Sequence, residues 1–128
     1  MRKSKELRKM TSALVLYSRL NISKGCANSL EIYERIVGVC GKRRELALDL
    51  LAVRDLLMIL KLKNDVQMLN IINEIYFLPF AKHPQRQIGK SEMSYRILRF
   101  AYENHMDERT VYRKLQKARS IWQKARCA

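Results

Sequence analysis

Apolar side chains return at helical spacing along almost the whole chain, and no stretch alternates as a half-buried strand would. After a short basic arm, Met1 to Lys5, the pattern predicts a first helix over Glu6 to Leu20 with Leu7, Met10, Leu14 and Tyr17 inward. Asn21 to Gly25 breaks it. A second helix is expected over Cys26 to Cys40, with Leu30, Tyr33, Val37 and Cys40 as its buried stripe and Ile36 widening it. Gly41 follows as a stop, where a left-handed residue costs least. Arg43 to Leu62 is the longest apolar-rich helix: Leu46, Leu50, Val53, Leu57 and Leu60 keep a four-three spacing. Leu48, Leu51, Leu56 and Ile59 cover neighbouring faces, so this helix is expected to be central. A homodimer through the same 43–62 helix is the competing use of that seam.

Asn64 and Asp65 are expected to cap a fourth helix, Val66 to Phe77, offering Leu69, Ile72, Ile75 and Tyr76 to the core. Pro79, Pro84 and Gly89 then interrupt the pattern, and Leu78 to Lys90 is a basic loop holding Lys82, Arg86 and Lys90. Ser91 caps a fifth helix running to about His105, with Tyr95, Leu98, Ala101 and Tyr102 inward. The sixth begins at Asp107, a good N-cap, and places Val111, Leu115, Ala118, Trp122 and Ala125 on one stripe. The expected fold is therefore all-α: a bundle of about six helices ending in a C-terminal helix-turn-helix. Its expected parts are a helical body over 1–78, a basic loop over 79–90, and a module over 91–128 packed on that body.

Charge refines this division. The chain carries 26 basic and 12 acidic side chains among 128 residues, a net +14. Residues 1–24 hold +6, residues 25–81 are neutral, and residues 82–128 hold +8. The two ends carry the whole excess, as expected for surfaces that meet something negative around a neutral core. A basic first helix lying on anionic membrane is one reading, but its polar face mixes Thr11, Ser12 and Ser18 with Arg8, Lys9 and Arg19. The richest apolar run, Leu46 to Leu62, contains Asp49, Arg54, Asp55 and Lys61, so no membrane span is expected. No secretory signal pattern opens the chain. Cys26, Cys40 and Cys127 are odd in number and lack metal or redox spacing, so free buried thiols are expected. The expected location is cytoplasmic, on the nucleoid.

Chemistry is sparse. The two histidines, His83 and His105, have no carboxylate or thiol at a telling spacing, and no glycine-rich phosphate loop or metal-ligand cluster occurs. Neither catalysis nor a cofactor or metal is expected. Two helices joined by Glu103-Asn-His-Met-Asp107, the second of them basic, are instead a helix-turn-helix candidate. Ala101 and Val111 stand ten residues apart, where a small residue of the first helix admits a branched residue of the second. Met106 falls where the corner needs an apolar anchor.

These residues, with the run Arg109-Thr-Val-Tyr-Arg-Lys-Leu-Gln-Lys-Ala-Arg, resemble the helix-turn-helix of bacterial sigma-factor region four. They are more similar still to small phage and mobile-element transcriptional regulators of the ArpU type. The resemblance covers residues 91–126. It implies that the second helix enters the DNA major groove, with Asp107, Glu108, Arg109, Tyr112, Arg113 and Gln116 at groove-facing positions. The turn position that is usually glycine, with positive φ, is His105 here, beside Asn104. No aromatic-rich promoter-melting region is present, so a DNA-binding regulator is expected and not an initiation factor.

In the expected mechanism Arg109, Arg113, Lys117 and Arg119 neutralise phosphates while one or two of the arginines read guanine edges. Tyr112 and Gln116 add base or sugar contacts, Glu108 lies at the groove, and Lys82, Arg86 and Lys90 reach the flanking backbone. The expected partners are double-stranded DNA, RNA polymerase and a second copy. The rival readings are RNA binding, disfavoured because Tyr95, Phe100, Tyr102 and Trp122 fall on buried or mixed positions, and an adaptor that meets RNA polymerase or an acidic protein without base readout.

Overall fold

The computed structural model describes residues 2–77 and 90–127, the side chains of residues 2–6, 90 and 91 excepted. Its helices are α1 (Arg2–Arg19), α2 (Ser29–Cys40), α3 (Arg44–Leu62), α4 (Val66–Ile72), α5 (Lys90–Glu103) and α6 (Glu108–Cys127). There is no strand among the described residues. A π-helical turn, Asn73–Phe77, continues α4. The fold class is therefore all-α, as the spacing predicts.

α3 is the hub: it packs against α6, α1, α2 and α4. Its Leu50, Ala52, Val53, Leu56 and Leu60 are buried. The seam that suited a homodimer through 43–62 is thus filled by helices of the same chain, and Met58 and Leu62 are the large apolar side chains that α3 leaves exposed. Met10, Leu14 and Tyr17 of α1 are buried as expected, with Leu7 partly so. The backbone of the expected basic arm continues α1 as helix from Arg2.

Three helices end in the same way, each with one non-glycine residue in the left-handed region. Asn21, Asn64 and His105 have φ of 50°, 57° and 53°. After α1, Ile22 N–H donates to Tyr17 C=O and Asn21 N–H to Ser18 C=O. After α3 the pairs are Asp65 to Leu60 and Asn64 to Lys61; after α5 they are Met106 to Ala101 and His105 to Tyr102. This paired return of amides onto the last turn is the Schellman termination, which satisfies carbonyls the helix leaves orphaned. Its usual apolar contact is supplied by buried Ile22 and half-buried Met106.

Two inward faces differ from the expected ones. α2 starts at Ser29, not Cys26, because Asn28 caps it by accepting from Glu31 N–H while Glu31 Oε2 accepts from Ala27 N–H. It buries Ile36 and Cys40, with Ile32 packed beside them, and leaves Leu30, Tyr33 and Val37 exposed. α5 begins one residue ahead of the expected Ser91 cap and buries Ile97, Phe100 and Ala101. Of the residues expected inward on α5, only Ala101 is buried: Tyr95, Leu98 and Tyr102 are exposed. Both helices carry two apolar stripes; on α5 packing used the one of aliphatic and phenyl groups, whereas on α2 the two stripes hold equal numbers of aliphatic residues.

The π-helical turn has its own supports. Asp65 caps α4 by accepting from Met68 N–H at 3.1 Å, and the widened turn buries Ile75 and Tyr76. Arg96 of α5 donates through Nη1 to the Ile75 carbonyl at 2.9 Å. Phe77 stacks on Tyr17 at 6.1 Å between centroids, and Ser18 Oγ donates to Phe77 C=O. These contacts hold carbonyls of the last described turn, which a helix end leaves without an internal partner.

Candidate nucleic-acid interface

α6 is held to the body on one side along its length. Val111, Leu115, Ala118 and Trp122 are fully buried, and Ala125 packs beside them. Asp107 caps it, accepting from Arg109 N–H at 2.9 Å. At the other end Arg126 donates to Asp49 Oδ1 at 2.5 Å and also pairs with Glu45, both on the first turns of α3. Trp122 Nε1–H donates to the Asp49 carbonyl at 3.2 Å. The helix is anchored at both ends and in the middle, so its free face has a fixed orientation.

That free face is cationic. Arg109, Arg113 and Lys117 are exposed, and none has an acidic partner among the described residues. Exposed Lys124 continues the line. Twenty residues make a rod of about 30 Å. Glu108 is exposed at the first turn, next to the positive end of the helix dipole. Tyr112 is exposed on one flank. Gln116 and Arg119 are half-buried on the same flank, where Arg119 Nε donates to Gln116 Oε1 at 3.3 Å. Their side chains are thus partly committed to each other, unlike those of Arg109 and Arg113.

α5 meets α6 through a four-residue corner, Asn104 to Asp107. The positive φ at its centre belongs to His105 itself, and not to Asn104. Asn104 instead turns its side chain back, donating to Phe100 C=O at 2.9 Å. Buried Ala101 and buried Val111, ten residues apart, lie on the inner sides of the two helices, and Met106 fills the corner between them.

The chain was compared with protein-family models, curated proteins and solved structures. It matches none of them.

The expected flanking cations are not equally placed. Lys82 and Arg86 lie outside the described residues, with most of the 79–90 loop, and Lys90 is described only as the first backbone position of α5. Features that sequence reasoning did not find include the clamp of Arg126 on Glu45 and Asp49 and the exposed pair Tyr95 and Tyr102 on α5. Arg126 sits 77 residues from Asp49, so only the fold brings the two together. The expectation that the thiols are all buried is also corrected: Cys40 is buried, Cys26 is half-buried and Cys127 is exposed. No group of three His, Cys, Asp or Glu side chains converges as metal ligands among the described residues. No described helix is long and apolar enough to cross a membrane.

Proposed function

We propose that this chain is a sequence-specific double-stranded DNA-binding transcriptional regulator, of the ArpU-like kind, whose α5 and α6 form a helix-turn-helix. α6 lies in the major groove. Arg109 and Arg113 face the base edges, and each guanidinium forms paired hydrogen bonds to guanine O6 and N7. Lys117 and Arg119 neutralise phosphates, Tyr112 and Gln116 contact bases or sugars at the flank, and Glu108 sits where it accepts from a cytosine amino group. The basic residues of the 82–90 segment contact the flanking backbone.

The observation that carries this reading is the exposed Arg109, Arg113 and Lys117 face on a helix whose opposite side is buried against α3 and clamped at its end by Arg126. An uncountered row of cations on a fixed rod suits a polyanion of regular shape. Net charge of +8 over residues 82–128 adds the sequence-independent attraction on which groove reading builds.

One observation favours a second reading, that of a basic RNA-binding or RNA-polymerase-interacting adaptor. Tyr95 and Tyr102 stand exposed on α5, at 61% and 83%, so the argument against base stacking from their burial does not hold. Selection of bound duplexes from a random pool separates the two. Recovery of a fixed motif that Arg113→Ala relaxes at one base pair supports groove reading. Equal recovery of unrelated duplexes, with tighter binding to single-stranded RNA, overturns it.

A further inference from the structure

Arg126, in the last turn of α6, pairs with Glu45 and Asp49 on the first turns of α3. The C-terminal end of α6 is therefore fixed beside the start of α3. Lys42, Arg43 and Arg44 stand immediately before Glu45, where the chain turns from α2 into α3. The clamp thus brings this α2–α3 corner to the end of the cationic helix. All three side chains are exposed, and none has an acidic partner among the described residues. They are three of the seven basic side chains in residues 25–81, whose zero net charge hides them.

The fold itself gains little from three cations here. The N-terminal end of a helix dipole disfavours positive charge, and Arg43 makes no side-chain cap for α3. The next acids along the chain, Glu45 and Asp49, are both engaged by Arg126. With Lys124 and Arg126 counted, this end of the molecule sets five cations against those two acids. A polyanion lying along α6 therefore meets a second net positive surface beyond the helix end.

We infer that Lys42, Arg43 and Arg44 form a second phosphate-contacting site, which holds the DNA backbone at the opposite end of α6 from Arg109. From Arg113 to Arg126 the helix rises about 20 Å, the length of about six base pairs. The contacted phosphates lie about that far to one side of the base pair that Arg113 reads. The corner has no base preference of its own, since phosphate oxygens are alike in every sequence, but contacts at one end give α6 a direction on the duplex. This site rests on the reading of α6 as the groove helix.

The test uses the full chain and the duplex selected for it. The triple variant Lys42→Ala, Arg43→Ala, Arg44→Ala should weaken selected and unrelated duplexes by the same factor. It should reduce the slope of log affinity against log salt by about 2–3. Its thermal unfolding should match the wild type, because all three side chains are exposed. Ethylation of phosphates about six base pairs to one side of the motif should block wild-type binding and leave the variant indifferent. Arg113→Ala judges the groove reading separately. A triple variant with the wild-type salt slope and ethylation pattern, beside an Arg113→Ala that still relaxes one base pair, overturns the corner site and leaves the α6 reading standing. An Arg113→Ala that relaxes nothing, with slope still lost in the triple variant, overturns the groove reading while the phosphate contact of the corner stands.

Discussion

Trp122 of α6 donates its indole N–H to the backbone carbonyl of Asp49 on α3 at 3.2 Å, across 73 residues of chain. The carboxylate of the same Asp49 receives Arg126. One residue of the central helix thus fixes both the depth and the rotation of the cationic helix. Trp122→Ala removes a fully buried ring and should cost about 3–5 kcal/mol of stability. Trp122→Phe keeps most of the packing and loses the hydrogen bond, for about 1–2 kcal/mol. Chemical denaturation monitored by circular dichroism checks both, and a Trp122→Phe variant as stable as the wild type would show that the bond contributes nothing.

Arg113 and Lys117 lie on one exposed face but are assigned different tasks. Arg113→Ala should weaken binding to the selected duplex roughly five- to 150-fold and relax preference at a single base pair. Lys117→Ala should weaken all duplexes alike and reduce the slope of log affinity against log salt by about 1. Neither should move the unfolding midpoint, because neither side chain is buried. Fluorescence anisotropy at several salt concentrations, with matched and mutated duplexes, distinguishes base readout from phosphate contact.

The candidate interface was legible because α6 has only one apolar stripe. With Val111, Leu115, Ala118 and Trp122 inward, Arg109 and Arg113 have to point away, and they do. α2 and α5 each offer two stripes, and helical spacing cannot say which one meets α3 or α6. Composition held part of the answer: Ile97 and Phe100 lack a polar group, whereas Tyr95 and Tyr102 have hydroxyls that water can satisfy. On α2 composition does not decide, because exposed Leu30 and Val37 are as apolar as Ile32 and Ile36. Long-range polar contacts such as Arg96 on the Ile75 carbonyl follow from packing angles and leave no periodic trace in the chain. The π-helical turn likewise has the spacing of plain helix, since its wider turn changes no residue type that spacing tracks.

His105 holds a φ of +53° at the corner between α5 and α6. The left-handed region costs an ordinary residue roughly 1–2 kcal/mol, and glycine gives back part of that gain through the entropy of the unfolded chain. His105→Gly should therefore raise stability by about 0.5 kcal/mol. His105→Val, β-branched and poorly suited to positive φ, should lower it by about 1–2 kcal/mol. Opposite signs in urea denaturation identify the backbone as the cause. Losses of equal size in both variants would point to a side-chain role for the imidazole instead.

Burial pushes the Tyr76 hydroxyl from its usual 10.0 up to about 12, opposed by the Thr11 hydroxyl and reinforced by Tyr112. The hydroxyl keeps its proton in the folded state after the unfolded chain has lost it. Between pH 10 and about 12 the unfolded state therefore binds fewer protons, and stability falls as pH rises. Below pH 10 this contribution is intact; above about 12 no further loss comes from Tyr76. The slope approaches the order of 1 kcal/mol per pH unit within that window. Tyr76→Phe deletes the titrating group and, among the described residues, one long hydrogen bond, from Thr11 at 3.5 Å. The variant should be close to wild type at neutral pH and more resistant to alkaline unfolding. The other ionisable groups are common to both proteins, so the difference between wild type and variant isolates Tyr76. Buried Tyr17, whose hydroxyl burial also shifts upward, leaves the variant a residual loss of the same sign. Parallel stability curves for the two proteins between pH 9 and 11 would place the wild-type proton loss at Tyr76 no higher in the folded chain than in the unfolded one.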